Sequence, residues 1–242
     1  MVLRMQAEKI LQALKGKANP TKALELQRFF KTGPGDYAEG DVFLGVVVPD
    51  IRKVARTYES TSLTELKKLI ASPFHEARFC ALVILTNNFK KAESEEAAER
   101  YFDFYLSALN RGFINNWDLI DVTAPTLGQF LLGEKNYLAK LRTMAASDEL
   151  WIRRASVLFT FAALRVGDTK PTLALCKILL RDDHDLMHKA VGWALREVGK
   201  RNPNQLRDFL DNYGRIMSRT TLRYAIEKFS TTERKRWLER TR

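Results

Sequence analysis

The chain has 242 residues, 45% hydrophobic and 29% charged, enough for a full core in one domain or one continuous repeat array. Forty Lys and Arg face 29 Asp and Glu, a net charge of +11 that favours a polyanionic partner such as nucleic acid or an anionic membrane surface. Only two cysteines, Cys80 and Cys176, occur, both within apolar helical patterns, which argues against a disulfide framework and fits a reducing cytosol.

Met1-Val2-Leu3-Arg4-Met5 runs into an amphipathic helix containing Glu8, without a signal-peptide core. No apolar run approaches the ~18–20 residues of a membrane span, so a cytoplasmic protein without a membrane partner is expected. Residues 3–16 (Leu3, Ile10, Leu11, Leu14) and 20–31 (Leu24, Leu26, Phe29, Phe30) are predicted as two helices parted at Asn19-Pro20. Thr32 to Asp41 holds three glycines and a proline and reads as a loop. Val42 to Val48 has no partner strand elsewhere and is expected to be an extended loop. The helix opening at Pro49 carries Arg52, Lys53 and Arg56, and Ser62-Leu-Thr-Glu65 is a capping box for the next. Helices follow at about 74–90, 93–110, 116–132, 136–146, 149–166, 170–181, 185–201, 203–213, 217–229 and 231–241, with Pro125 kinking or ending the first half of the 116–132 segment. All of this is all-α with short connections.

Weak internal repetition runs through these helices. Arg78, Arg153 and Lys189 each precede a small residue three further on (Ala81, Ser156, Gly192), at separations of 75 and 36 residues, and Trp117 falls 39 after Arg78 in the same register. One helical hairpin per such period predicts a single domain over 1–242, an α-solenoid of HEAT-like hairpin repeats with a concave basic face. On that face Trp117, Arg153, Arg154 and the Lys189–Trp193 helix would lie side by side.

The strongest chemical signal is Asn115-Asn-Trp-Asp-Leu-Ile-Asp121. Trp117 and Asp121 are four apart, so on a helix they share a face, away from Leu119, Ile120 and Thr123. Two readings stand: an outward aromatic beside a working carboxylate, or a half-buried indole whose N–H Asp121 accepts. Along 185–201, Lys189, Trp193, Arg196 and Lys200 share a stripe about 60° wide. Met187, Val191, Ala194, Leu195 and Val198 mark a different, core-facing direction. Cations interleaved with an outward aromatic suit a nucleic-acid groove, the alternative being a rim indole covered by lysine stems. Arg215, Arg219 and Arg223 recur every four residues, suiting a line of phosphates. Residues 214–242 hold nine Lys and Arg against three Glu, and Trp237 with Leu238 is expected to dock the last helix. His184 and His188 read as a surface pair near a helix start, and His75 as a lone histidine. No HExxH, GxGxxG, Walker, GxSxG or CxxC pattern occurs, so neither metal nor nucleotide cofactor is expected.

With Asn116-Trp-Asp-Leu-Ile-Asp121, Leu150-Trp-Ile-Arg-Arg154 and Lys189-Ala-Val-Gly-Trp193 in view, the chain resembles the AlkD-type family of DNA-alkylation-repair glycosylases. The likeness runs from Phe43-Leu-Gly-Val-Val-Val-Pro-Asp-Ile-Arg52 to Gly192-Trp-Ala-Leu-Arg-Glu197. It implies a HEAT-like fold binding duplex DNA and hydrolysing the N-glycosidic bond of N3- or N7-alkylated purines, chemistry that needs no cofactor; a monomer is expected because no surplus apolar helix face is evident. Position by position, it makes Asp121 the catalytic carboxylate, Trp117 and Trp193 the indoles that pack on the lesion's sugar-phosphate, and Arg154 an arginine at the lesion backbone. Arg52, Arg56 and Arg196 match DNA-contacting positions, and Arg153, Lys189, Lys200, Arg219 and Arg223 join them from the charge pattern above. Asn116 stands where some members have a second aromatic, and Phe29 where a tyrosine occurs in at least one type of member. A HEAT-like DNA binder without catalysis is the alternative function, and a protein-interaction scaffold the third.

Overall fold

Helices start where the sequence supplies caps. In the computed structural model, which describes residues 5–240, the side chains of Asn19, Ser94, Asn202 and Ser218 each accept a backbone N–H of the first turn that follows, satisfying donors that a helix N-terminus leaves unpaired. The elements are α1 (Gln6–Lys15), α2 (Pro20–Phe29), α3 (Val48–Thr57), α4 (Leu63–Ile70), α5 (His75–Lys90), α6 (Glu95–Asn110), α7 (Trp117–Asp121), α8 (Ala124–Leu127), α9 (Tyr137–Ala145), α10 (Leu150–Phe159), α11 (Phe161–Arg165), α12 (Lys170–Leu179), α13 (Asp185–Arg201), α14 (Pro203–Tyr213), α15 (Arg219–Ala225) and α16 (Thr231–Arg240). The fold is all-α. Among the described residues no strand forms: residues 42–47 stay outside regular structure apart from an isolated bridge between Val42 and Phe74, and Val48, predicted with them, already belongs to α3. No helix among them is long and apolar enough to cross a membrane. Leu3 and the last residue of the predicted 231–241 helix lie outside the described residues.

The chain divides into two compact units, Met1–Thr123 and Ala124–Arg242. In the first, α5 is the central helix: every residue from His75 to Thr86 is buried, and α3, α4, α6 and α7 pack around it. A helix buried on all sides must satisfy its polar residues internally, and α5 opens with three of them, His75, Glu76 and Arg78. In the second unit, α13 is enclosed by α10, α12, α14 and α15. Its core side is the predicted one: Met187, Val191, Ala194, Leu195 and Val198 are wholly buried. Gly192 permits the approach of α15, since a Cβ there would lie 2.4 Å from that of Tyr224 and 2.7 Å from the Thr221 carbonyl oxygen.

Several predicted elements differ in detail. The 116–132 helix is three pieces: α7, α8 and a 3-10 turn over Phe130–Gly133. Pro125 accounts for the first break, because it has no N–H to offer the Asp121 carbonyl and its ring crowds that position. The 149–166 helix is interrupted at Thr160, whose hydroxyl donates to the Val157 carbonyl at 2.6 Å, a local bond that competes with the helical ladder. The predicted 217–229 helix is limited to α15. The Ser62–Glu65 box is half-made: Ser62 accepts from the Glu65 N–H, but the Glu65 carboxylate accepts the N–H of Ala7 at 2.9 Å and ties α4 to α1 instead. Along α2, Leu24 and Phe29 are exposed rather than core, and Phe30, the cap residue, is buried. Trp237 is buried, as expected of the residue that docks α16.

Candidate functional site

The first-unit site is built on α7, a single turn of five residues. So short a helix has no stability of its own, and its position is dictated by what grips it. Leu119 and Ile120 are fully buried and anchor one side. Asn116, also fully buried, accepts the Trp117 N–H on its side-chain oxygen at 2.8 Å and starts the turn. Thr123 closes it, donating its hydroxyl to the Leu119 carbonyl at 2.8 Å. This leaves Trp117 and Asp121 half-buried. The Trp117 ring stacks on Phe30 with centroids 5.2 Å apart, and meets the exposed Phe29 edge-on at 6.0 Å. Burial raises the Tyr105 phenol above its ordinary range, opposed by Thr123 and helped by the smaller effect of the nearby Asp121 charge.

His75 is not the lone histidine expected. It is fully enclosed, with Nδ1 3.1 Å from Asp41 Oδ2 and Nε2 2.8 Å from Asp118 Oδ2. Two carboxylate partners require both ring nitrogens to donate, which is the imidazolium form. Burial alone would push its pKa down, but the charge and hydrogen bond of Asp118 and the bond to Asp41 outweigh it, and the net is a rise to about 9. Asp41 moves the other way: burial would raise it, but His75, Arg78 and Asn115 hold it at about 2. Arg78 completes the cluster, reaching Asp41 Oδ1 at 2.6 Å and donating to Asn115 Oδ1 at 2.8 Å, while Asn115 donates to Asp41 at 3.0 Å. Two carboxylates and two cations balance, so the cluster is neutral while every member is ionised. The His75 ring also stacks on Phe43 at 4.5 Å, and Phe43 on Phe30 at 5.1 Å, which continues the aromatic column to Trp117. Glu76 holds the loop that carries Phe43, accepting the N–H groups of Leu44, Gly45 and Val46 at 2.9, 2.8 and 3.1 Å.

In the second unit, Trp193 is half-buried, edge-on to Phe161 at 4.9 Å. Its indole N–H donates to Glu197, four residues on, at 3.2 Å. The cations beside it are paired: Lys189 with Asp185, Lys200 with Glu197, and Arg196 with Glu227. Arg154 is buried and donates to the Leu186 carbonyl at 2.7 Å. Arg153 contacts Asp182 at 2.6 Å and donates to the carbonyls of Ser147 and Asp148, bracing the α10 start against the loop before α13. Arg219 donates to the Leu238 carbonyl at 3.1 Å, and Arg223 is exposed, as are Arg52 and Arg56 on α3 in the first unit.

Sequence reasoning missed Asp41, His75, Arg78, Asn115 and Asp118 as a group. The available signal was His75-Glu76-x-Arg78 at the head of a helix whose remainder is apolar almost all round, because charges entering such a helix need buried partners.

The class set by fold and composition is an all-α, strongly cationic protein, with Trp117 and Asp121 half-buried on α7. The narrower assignment comes from its relatives. The family model described as "DNA alkylation repair enzyme" matches residues 10–229, and the chain belongs to that family. Membership gives it a role in the repair of alkylated DNA. Among solved structures, one described as a predicted DNA alkylation repair enzyme from Enterococcus faecalis shares the fold, with a TM-score of 0.68 at 16% identity over 89% of this chain and 98% of that one. No curated protein matches the chain.

Proposed function

We propose that the protein is a monofunctional glycosylase that hydrolyses the N-glycosidic bond of N3- or N7-alkylated purines in duplex DNA. The observation that carries this reading is the half-exposed Trp117–Asp121 pair, held by a buried, fully ionised cluster in a chain of the alkylation-repair family. A passive phosphate binder gains nothing from a half-buried carboxylate beside its indole, since the charge repels the backbone it is meant to grip.

The chemistry follows from the substrate. A purine alkylated at N3 or N7 carries ring positive charge and departs neutral, so no strong general acid is required. The transition state concentrates positive charge on the sugar, as in other glycosidic cleavages. Asp121 supplies the opposing charge and orients the attacking water. The Trp117 face adds cation–π attraction of about 0.5–2 kcal/mol where water is excluded. In the second unit, Trp193 is assigned the other indole and Arg154 the grip on the lesion phosphate. Arg52, Arg56, Lys189, Arg196, Lys200, Arg219 and Arg223 are assigned to the flanking backbone.

The test is Asp121→Asn, assayed for base release from duplex containing 7-methylguanine and for affinity on the same duplex. The expected outcome is retained affinity with base release lost. Release at the unaltered rate rejects Asp121 as the catalytic carboxylate. Absence of release by the unaltered protein on any alkylated purine rejects the glycosylase reading.

A further inference from the structure

We propose that His75 is a positioning residue for this chemistry: through Asp118 and the Phe43–Phe30 stack it sets where α7 holds Trp117 and Asp121. The inference rests on the assignment of those two residues above.

Three observations converge on it. First, α7 cannot hold itself, being one turn long and barred by Pro125 from continuing. Second, His75 reaches it by two routes. Nε2 bonds Asp118, the residue after Trp117 and three before Asp121, while the ring face leads through Phe43 and Phe30 to the Trp117 indole. Third, His75 is the side chain bonded to the Asp118 carboxylate, whose other oxygen, Oδ1, is buried without a hydrogen bond among the described residues. The charged groups facing the imidazole are Asp41 from the loop before Phe43, Asp118 from α7 and Arg78 from α5 itself. Arg78 is already committed to Asp41 and Asn115. Removing the charge on His75 therefore leaves the Asp118 carboxylate, only 15% exposed, unbalanced with one oxygen buried, and moving α7 outward is what hydrates it fully.

A merely structural role predicts something different. The interior of α5 is packed by Phe79, Leu82, Ile84 and Leu85, so the helix survives exchange of a first-turn residue, and the effect should appear where the ring points. His75→Gln keeps most of the volume and one donor, and Asp118→Asn removes the charge that needs balancing.

The experiment labels the four tryptophans with 5-fluorotryptophan and follows them by fluorine NMR, the Trp117 signal being identified with Trp117→Phe. With three histidines in the chain, the His75 ring protons can be followed in the same samples. On raising the pH from neutral to about 10.5, the Trp117 signal should shift together with the His75 protons, and His75→Gln should abolish that step. A Trp117 signal that ignores both the titration and His75→Gln overturns the proposal, whatever the protein's activity. Single-turnover release of 7-methylguanine gives the second readout. His75→Gln should slow it by roughly tenfold to a hundredfold, the scale expected of a small misplacement, with DNA affinity unchanged and with Asp118→Asn adding little to it. Full-rate release by a folded His75→Gln variant overturns the positioning role. If the unaltered protein releases no base, the glycosylase reading falls while the fluorine signal still decides for or against His75.

Discussion

Glu76→Ala should destabilise the first unit by about 3–5 kcal/mol. The Glu76 carboxylate is buried and accepts three consecutive backbone N–H groups, from Leu44, Gly45 and Val46. A hydrogen bond to a charged group contributes roughly 1.5–3 kcal/mol, and a buried donor left unpaired costs about 1–3. Three such bonds share one carboxylate and are not additive, and water can enter the space left, which brings the total below their sum. The loop cannot shift to find other acceptors. Gly45 has φ 80°, a Cβ on it would lie 2.1 Å from the Asn19 carbonyl oxygen, and the neighbouring Leu44 carbonyl accepts the Asn19 N–H at 2.9 Å. Glu76→Gln separates charge from geometry. Its single oxygen can serve Gly45 and Val46, which share Oε1 in the native protein, but its amide then faces the Leu44 N–H, donor to donor, at a cost of about 2 kcal/mol. Urea unfolding, followed by far-UV circular dichroism and tryptophan fluorescence, measures both variants. A loss under about 1 kcal/mol for Glu76→Ala would mean that the loop carrying Phe43 is held by something else, and the account of the aromatic column would be wrong with it.

Gly192→Ala forces α13 and α15 apart and should cost about 1–3 kcal/mol, read as a lowered melting temperature; an unchanged one would contradict the close approach at Tyr224 and Thr221. Arg223→Ala should weaken binding to any duplex and reduce the log–log salt slope by roughly 1, as measured by fluorescence anisotropy. Arg153→Ala should leave that slope unchanged and instead destabilise the second unit by about 3 kcal/mol, because it strands Asp182. The cluster around His75 sets two pH limits. The His75 pKa is raised to about 9, so its contribution is complete below the unfolded value near 6.5 and is lost as the pH rises through about 9. The Asp41 pKa is depressed to about 2, so its contribution is present above about 3.8 and is lost as the pH falls towards 2. Denaturant midpoints across pH should therefore fall at both ends, and Asp118→Asn should move the alkaline limb to lower pH.

Periodicity carried most of the fold, because the all-α class and the buried side of α13 depend only on where apolar residues recur. Boundaries failed where one residue redirects the chain. Pro125 did so legibly, but Thr160 did not, since whether a threonine hydroxyl turns back on its own helix depends on packing that has no pattern in sequence. Trp117 and Asp121 stood out by their spacing and are presented as a half-buried pair. The cluster behind them left only the His75-Glu76-x-Arg78 signal, because its hydrogen-bonded pairs lie 34 to 74 positions apart, and one buried histidine looks the same in a sequence whether it is idle or at the centre of a network. Glu65 is a smaller case: its motif predicts a local bond, and a distant N–H took the carboxylate.

The basic stripe on α13 raises the same question in energetic form, because each of its cations already has a carboxylate. What decides availability is burial of the pair. In Lys189–Asp185 the side chains are 39% and 58% exposed. Exposed pairs of this kind contribute about 0–1 kcal/mol, so an incoming phosphate, which replaces one anion by another and releases counterions from DNA, meets little resistance. Lys200 is 42% exposed, and its more enclosed partner Glu197, at 16%, keeps Trp193 and Arg201 when Lys200 leaves. Arg196 is more enclosed at 18%, but its partner Glu227 is 42% exposed and also bonds Lys228 at 3.0 Å, so it can let go without being stranded. Arg153 and Asp182, at 18% and 7%, are enclosed on both sides, and separating them would leave Asp182 buried and uncompensated. By that criterion Lys189, Arg196 and Lys200 keep their proposed place on the DNA backbone. Arg153, which the sequence grouped with them by register, holds the scaffold.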